Sequence, residues 1–139
     1  MNQKKHSMKF TIIILAVVAV CFIVMNLIGI KAELSESAVK ISAPMFSQTV
    51  SYQDIADVQL RSDINYGTRT FGSDMIGIKT GTFRNTEFGE YQCAVYASVS
   101  ECIVIQKASG DIIVFNSSTK EQTTEVFSTL QQKLSGNES

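Results

Sequence analysis

Few side chains in this sequence could do chemistry, and their spacing limits what that chemistry could be. The single histidine, His6, lies among Lys4, Lys5 and Lys9 near the N-terminus, where it reads as a solvated side chain rather than a metal ligand or a general base. With no histidine elsewhere, neither a Ser-His-Asp nor a Cys-His arrangement can be assembled within one chain. Glu87 and Glu90 could be imagined as an acid/base pair, but two exposed carboxylates flanking a turn are the simpler reading. Asp57, Asp63 and Asp74 lack the compact ligand spacing of a calcium loop. The glycines from Gly67 onward are not followed by Gly-Lys-Ser/Thr, so no phosphate cradle is expected. The sequence thus presents no catalytic set, no cofactor-binding motif and no metal-ligand set.

What remains are residues suited to recognition and packing. Arg61, Tyr66, Arg69 and Phe71 form a cationic, aromatic stretch of the kind that supplies interface anchors. The competing reading pairs Arg69 with Asp63 or Asp74 and packs Tyr66 and Phe71 over one end of the fold. Gly67, Gly72, Gly81 and Gly89 read as structural positions, supplying positive φ at turns or letting strands bend. Cys93 and Cys102 fall on segments expected to be neighbouring strands. Either they are bridged, which an oxidising compartment would permit, or they are small buried side chains in a sheet.

These residues need elements to position them, and the first is apolar. Residues 10–30, FTIIILAVVAVCFIVMNLIGI, carry no charge and no proline. As a helix they would extend about 31 Å, the thickness of a bilayer's hydrocarbon core. The run is too long for a cleaved signal, no small-residue cleavage site closes it, and Val20 before Cys21 is a poor lipidation context. An uncleaved signal-anchor, single-pass transmembrane helix is therefore expected, as the attachment to the cell membrane. Lys4, Lys5 and Lys9 precede it and Lys31 and Lys40 follow it, which favours a cytoplasmic N-terminus and an extracytoplasmic domain.

The rest of the chain bounds the domain count and the partners. Beyond the span lie roughly a hundred residues, one small domain. Outside the first nine residues the chain has nine Lys/Arg against thirteen Asp/Glu. That mild acidity excludes nucleic acid as a partner, since both phosphate backbones and anionic lipid call for a cationic surface.

The folded part changes period from helical to alternating at Val39. Short alternating or apolar runs include Val39 and Ile41, Val50 and Tyr52, Val58 and Leu60, Ile76 and Ile78, Tyr91 to Val95, Cys102 to Ile105, and Ile112 to Phe115. Seven such strands at close spacing predict an all-β sandwich or barrel. Pro44 marks a turn, Ser109-Gly110 a tight hairpin, and residues 98–100 a second hairpin between the fifth and sixth strands. Ser118-Thr119-Lys120-Glu121 has capping-box spacing. Thr123, Val126, Phe127, Leu130 and Leu134 then recur at helical intervals. The expected organisation is a basic tail over 1–9, the membrane helix over 10–30, a linker over 31–37, the β domain over 38–134 and a disordered tail over 135–139.

Asp54-Ile55, Ile64-x-x-Gly67-x-Arg69-Thr70-x-Gly72, Gly81-x-Phe83, Phe88-Gly89-x-Tyr91 and Val114-Phe115-Asn116 before the helix together resemble the bacterial pleckstrin-homology (PH-like) domain family. The resemblance covers about residues 39–134. It implies a partly open barrel of about seven antiparallel strands in two roughly orthogonal sheets, capped by one C-terminal α-helix. Headgroup sites in such domains resemble a basic cluster around the first hairpin, and between Lys40 and Arg61 this chain has no Lys or Arg. Phosphoinositide binding is therefore not expected. The expectation is a membrane-tethered, non-catalytic module that binds another protein or self-associates through a sheet edge or the glycine-rich stretch. The alternative is a small-ligand or lipid sensor using the barrel mouth or that same stretch.

Overall fold

The computed structural model describes residues 2–27, 29–44, 46–75 and 77–137; within them, the side chains at positions 2, 22, 25–27, 73–75 and 137 lie outside the description. Among the described residues there are two α-helices and nine strands: α1 (Asn2–Leu27), β1 (Lys31–Leu34), β2 (Ala38–Ala43), β3 (Phe46–Ser51), β4 (Ile55–Arg61), β5 (Thr68–Met75), β6 (Ile78–Asn85), β7 (Gly89–Tyr96), β8 (Cys102–Lys107), β9 (Ile112–Phe115) and α2 (Lys120–Asn137). A short 3-10 turn at Tyr52–Asp54 leads into β4.

Helix α1 starts earlier and ends sooner than the apolar run suggests, because the lysine-bearing segment from Asn2 continues the helix and the chain leaves it after Leu27. Among the described residues no helix is long and apolar enough to cross a membrane, so the spanning helix expected over 10–30 is not shown by the fold. The described side chains from Phe10 to Val24 are nonetheless exposed all along the helix. Ile30, expected inside the span, is buried in the core of the β domain. The expected linker contains β1, which pairs with β2 from Lys31↔Ser42 to Leu34↔Val39, with 35–37 as its turn. At the other end α2 runs on through Asn137, into the expected tail; positions 138 and 139 lie outside the described residues.

The strands form a three-stranded sheet, β1-β2-β3, and a six-stranded sheet, β4-β8-β9-β7-β6-β5. Two strands beyond the seven expected, β1 and β5, come from segments rich in Lys, Glu, Ser, Thr and Gly, which carry little apolar alternation to announce them. The expected fourth strand is displaced: Ile76 lies outside the described residues and β6 begins at Ile78. The Ser109-Gly110 hairpin forms between β8 and β9, with Gly110 N–H donating to Lys107 O at 2.9 Å.

The expected hairpin between β7 and β8 does not form. Instead β9 lies between them, antiparallel to β8 and parallel to β7, with Cys93↔Val114 and Ala94↔Phe115 in register. The fold is therefore not wholly antiparallel. Asn116, fully buried directly after β9, makes this order workable. Its Oδ1 accepts from Tyr96 N–H at 2.7 Å, and its Nδ2 donates to Tyr96 O at 3.2 Å and to Val99 O at 3.0 Å. The loop that steps over the end of β9 thus has its backbone groups satisfied by the residue beneath it, where burial without partners would cost about 1–3 kcal/mol per group.

The six-stranded sheet is buried on both faces at its centre, which explains why CAV, CIVI and IIVF read as continuous apolar runs rather than alternating ones. One face, with Ala94, Ile103, Ile105, Ile113 and Phe115, packs against Val39, Ile41 and Val50 of the smaller sheet and Leu130 of α2. The other, with Cys93, Val95, Cys102, Val104 and Val114, is covered by Ile64 and Tyr66 of the β4–β5 connection and by Phe88. Helix α2 buries the expected stripe: Thr123 and Leu130 are fully buried and Val126, Phe127 and Leu134 pack beside them. Its cap lies one residue later than Ser118-Glu121 spacing implies, since Thr119 Oγ1 accepts from Gln122 N–H at 3.1 Å.

Candidate functional site

The four residues singled out for recognition are divided by the fold into two pairs. Arg61, at the end of β4, is only 20% exposed in its side chain. Its guanidinium donates to Asp63 at 2.9 and 3.1 Å and to Glu87 Oε1 at 3.0 Å, and lies 5.8 Å from the centre of the Phe88 ring. This fork of charge-assisted bonds ties the β4–β5 connection to the β6–β7 turn. The carboxylates, Glu87 first, raise the guanidinium pKa further, and the same contact lowers that of Asp63. Tyr66 lies in the outer core, its hydroxyl 3.1 Å from Cys102 Sγ, while Tyr91 Oη donates to Tyr66 O at 2.8 Å. Burial, then the Cys102 contact, pushes the Tyr66 hydroxyl pKa up. Arg61 and Tyr66 are thus fixed in packing.

Arg69 and Phe71 lie on β5, an edge strand paired on one side only, to β6. Arg69 is exposed and takes no part in the ion pairs among the described residues, Asp63 being held by Arg61; the Asp74 side chain lies outside the description. Phe71 is 71% exposed, unlike every other large apolar side chain described outside α1. The β5–β6 ladder shifts register between Arg69 and Phe71, which re-aims this part of the edge.

The glycines set the geometry of that edge. Gly72 and Gly81 face each other across β5 and β6, with φ of 121° and 120°. A Cβ on Gly72 would lie 2.7 Å from Gly81 Cα and closer still to Thr80 O, so only glycine allows the two strands to approach here. Gly67 likewise abuts the carbonyl of Arg84, whereas Gly89, at φ 68°, sits in open space at its turn.

The remaining candidates take structural partners. Glu87 is held by Arg61 and Glu90 lies 3.5 Å from Arg84, so each carboxylate has a cation of its own. Asp57 accepts from Gln59 at 3.0 Å. His6 is exposed on α1. Cys93 and Cys102 are free and buried, not bridged. They sit on strands separated by β9, hence about 10 Å apart across the sheet, beyond disulfide reach. Desolvation pushes both thiols up from their ordinary range.

One feature was not visible in the sequence. A groove of about 930 Å³ runs between β4, the other edge of the large sheet, and the C-terminal half of α2, lined by Ile55, Asp57, Val58, Gln131, Gln132 and Leu134 among others. Its β4 wall includes Ile55 and Val58, which also pack against the core, and its other wall comes from α2, far along the chain, so only the packing of α2 reveals it.

Two sheets with a C-terminal helix lying against the larger one are the architecture of a PH-like domain. A family model described as Bacterial PH domain matches residues 30–127, and the chain belongs to that family. The match begins at Ile30, the first buried apolar side chain of the core. No curated protein and no solved structure matches the chain at a significant level.

Proposed function

We propose that this PH-like domain is a non-catalytic interaction module held at a membrane by α1, and that it binds another polypeptide along the free edge of β5. The observation that carries the binding half is Phe71, a large apolar side chain 71% exposed on an edge strand whose outer backbone groups have no partner strand. Such an edge offers main-chain hydrogen bonds and one aromatic anchor, the elements of strand addition. Arg69 beside it supplies a cation free to meet an acidic or carbonyl-rich partner. A second copy of the chain is one such partner.

The membrane half is supported by the uncharged run over 10–30 and by the exposure of the described side chains along it, an arrangement costly in water and favourable in lipid. Lys4, Lys5 and Lys9 on one side, against Lys31 and Lys40 on the other, favour a cytoplasmic N-terminus and a β domain outside. A compartment-specific reporter fused after Ser139 reads this orientation directly; activity of a cytoplasmic reporter there reverses it.

For the binding half, the test is crosslinking in membranes followed by purification of the full chain carrying either Phe71 or Phe71→Asp. A specific crosslinked species, with another protein or with a second copy, is expected for the first and lost for the second. The same pattern of species from both chains overturns the reading. The barrel-mouth sensor is less well supported, because Ile41, Ile103, Ile105 and Phe115 fill the space between the sheets and are fully buried.

A further inference from the structure

We infer that the strand which β5 meets is β4 of a second copy of this chain, seated in that copy's groove between β4 and α2; this rests on the reading of β5 as the binding edge and of α1 as the membrane anchor. Strands β4 and β5 are the two outer strands of the large sheet, so each leaves one row of backbone groups without a strand partner. The groove opens on the edge of β4 and not on one of its faces. Four consecutive residues, Ile55 to Val58, line it, and neighbours along a strand point to opposite sides.

Strand direction selects the pairing. Strand β5 is antiparallel to β6 and β6 to β7, while β4 is antiparallel to β8, β8 to β9, and β9 is parallel to β7. Strands β4, β5 and β7 therefore run the same way. They point toward the end of the sheet where Tyr96, the last residue of β7, accepts the Ile30 N–H at 3.0 Å and holds the chain as it leaves α1. Two copies joined by antiparallel β5 strands would send their α1 helices off opposite ends of the joint sheet. Joined β5 to β4 in parallel, both helices leave from one end, as two anchors in one bilayer require.

The side chains match in this direction. Cross-strand neighbours share a face, so Phe71, level with Thr82 and through it with Gln92, lies on the face of Ala94, against which Leu130 of α2 packs. Val58, level with Ile105, is on that face too. With Arg69 set beside Asp57, the one-residue shift of β5 between Arg69 and Phe71 brings Phe71 to Val58, at the groove that Leu134 also lines. The same register brings position 74, an aspartate, level with Arg61. Asp57 is the only charged residue lining the groove, and neither it nor Arg69 joins an ion pair among the described residues. Antiparallel β5–β5 pairing would also oppose Arg69 to Asp74, so charge supports the β4 site while direction decides it. The contact is head-to-tail, each copy keeping one β4 or β5 edge for a further neighbour, and it builds rows rather than closed pairs.

The test uses full chains with Cys21→Ser, reconstituted together in phosphatidylcholine vesicles, one carrying Gln59→Cys and a second, differently tagged, carrying Thr70→Cys. Both positions are exposed, and the two native thiols left are buried. A short thiol-to-thiol crosslinker is expected to join the two chains, and an unchanged denaturation midpoint establishes that each is folded. Phe71→Asp on the Thr70→Cys chain is expected to abolish this product. On the Gln59→Cys chain, whose β4 is the acceptor, Phe71→Asp is expected to leave it in place. Thr70→Cys chains joined to one another without the mixed product put β5 on β5 and overturn the inference, leaving β5 as the binding edge. Equal loss from Phe71→Asp on either chain overturns the head-to-tail contact. No product in vesicles, where native membranes still give the Phe71-dependent species, makes the partner another protein and fells this inference alone; absence of both fells the β5 reading with it.

Discussion

The side chain of Asn116 is hydrogen-bonded to both backbone groups of Tyr96, accepting from its N–H at 2.7 Å and donating to its carbonyl at 3.2 Å. The buried amide stands in for a missing strand partner at the place where the chain steps from β7 over β9 into β8. Tyr96 in turn accepts the Ile30 N–H through its hydroxyl, so one polar chain runs from the helix exit to the last strand. Asn116→Ala takes the side-chain partner from Tyr96 N–H and Val99 O, while Tyr96 O keeps the Val99 N–H at 3.1 Å, and is expected to lower unfolding stability by about 2–4 kcal/mol, from about 1–3 kcal/mol per group with partial rescue by water. Asn116→Asp, which keeps the acceptor but loses both donors, should cost at least as much at neutral pH. Chemical denaturation of the full chain in detergent, read by the change in midpoint, checks both.

The Gly72–Gly81 pair separates steric demand from backbone strain. Gly89→Ala meets nothing within 4 Å but keeps a positive φ, so it should cost only about 1–2 kcal/mol. Gly72→Ala and Gly81→Ala each place a methyl against the opposing strand's backbone, which cannot rotate away. Both should cost more than Gly89→Ala and should disturb β5, detectable as faster amide exchange across that strand. Equal losses for all three variants would mean that φ alone governs these positions.

Alkaline pH should weaken the fold before acid does. Burial raises the pKa of Cys93, Tyr66 and Tyr91 in the folded state, holding each group in its neutral form. Their contribution is complete below the unfolded values, 9.0 for the thiol and 10.0 for the phenols, and is lost as pH rises above them, because the unfolded chain then releases protons that the folded chain retains. For Cys93 the slope approaches about 1.4 kcal/mol per pH unit. Stability measured from pH 8 upward should fall progressively, and Cys93→Ala should fall less steeply than the parent; identical slopes would remove Cys93 from the account.

The free thiols make a prediction of their own. Cys93 and Cys102 should resist alkylation in the folded protein and react together on unfolding, and the intact mass should be the same with and without reductant. Rapid labelling of either under native conditions would show that the β4–β5 connection opens readily over the outer core.

Much of the local structure is legible in the residues themselves. The α2 stripe from Thr123 to Leu134 and the Ser109-Gly110 hairpin depend on neighbours a few positions away, and both stand where the pattern puts them. The strand cores at Tyr91 to Val95, Cys102 to Ile105 and Ile112 to Phe115 are equally local, as hydrophobic β-rich runs. The site was half legible: Arg61, Tyr66, Arg69 and Phe71 are all prominent as residue types, yet nothing in their order says that Glu87 claims the first and the outer core the second.

Sequence by itself determined that an uncharged helical run precedes a small β domain, that the domain ends in an amphipathic helix, and that no histidine-based catalysis is possible within it. Tertiary structure alone decided that β9 enters between β7 and β8, that two cysteines expected to face each other are kept apart, and that Phe71 stays exposed on a free edge. The physical reason is the range of the interactions. Periodicity and capping are set within one or two turns of chain, whereas strand order is set by which distant carbonyl each N–H finds, here along the β7–β9 and β8–β9 ladders, with the buried Asn116 amide satisfying the loop that this order requires.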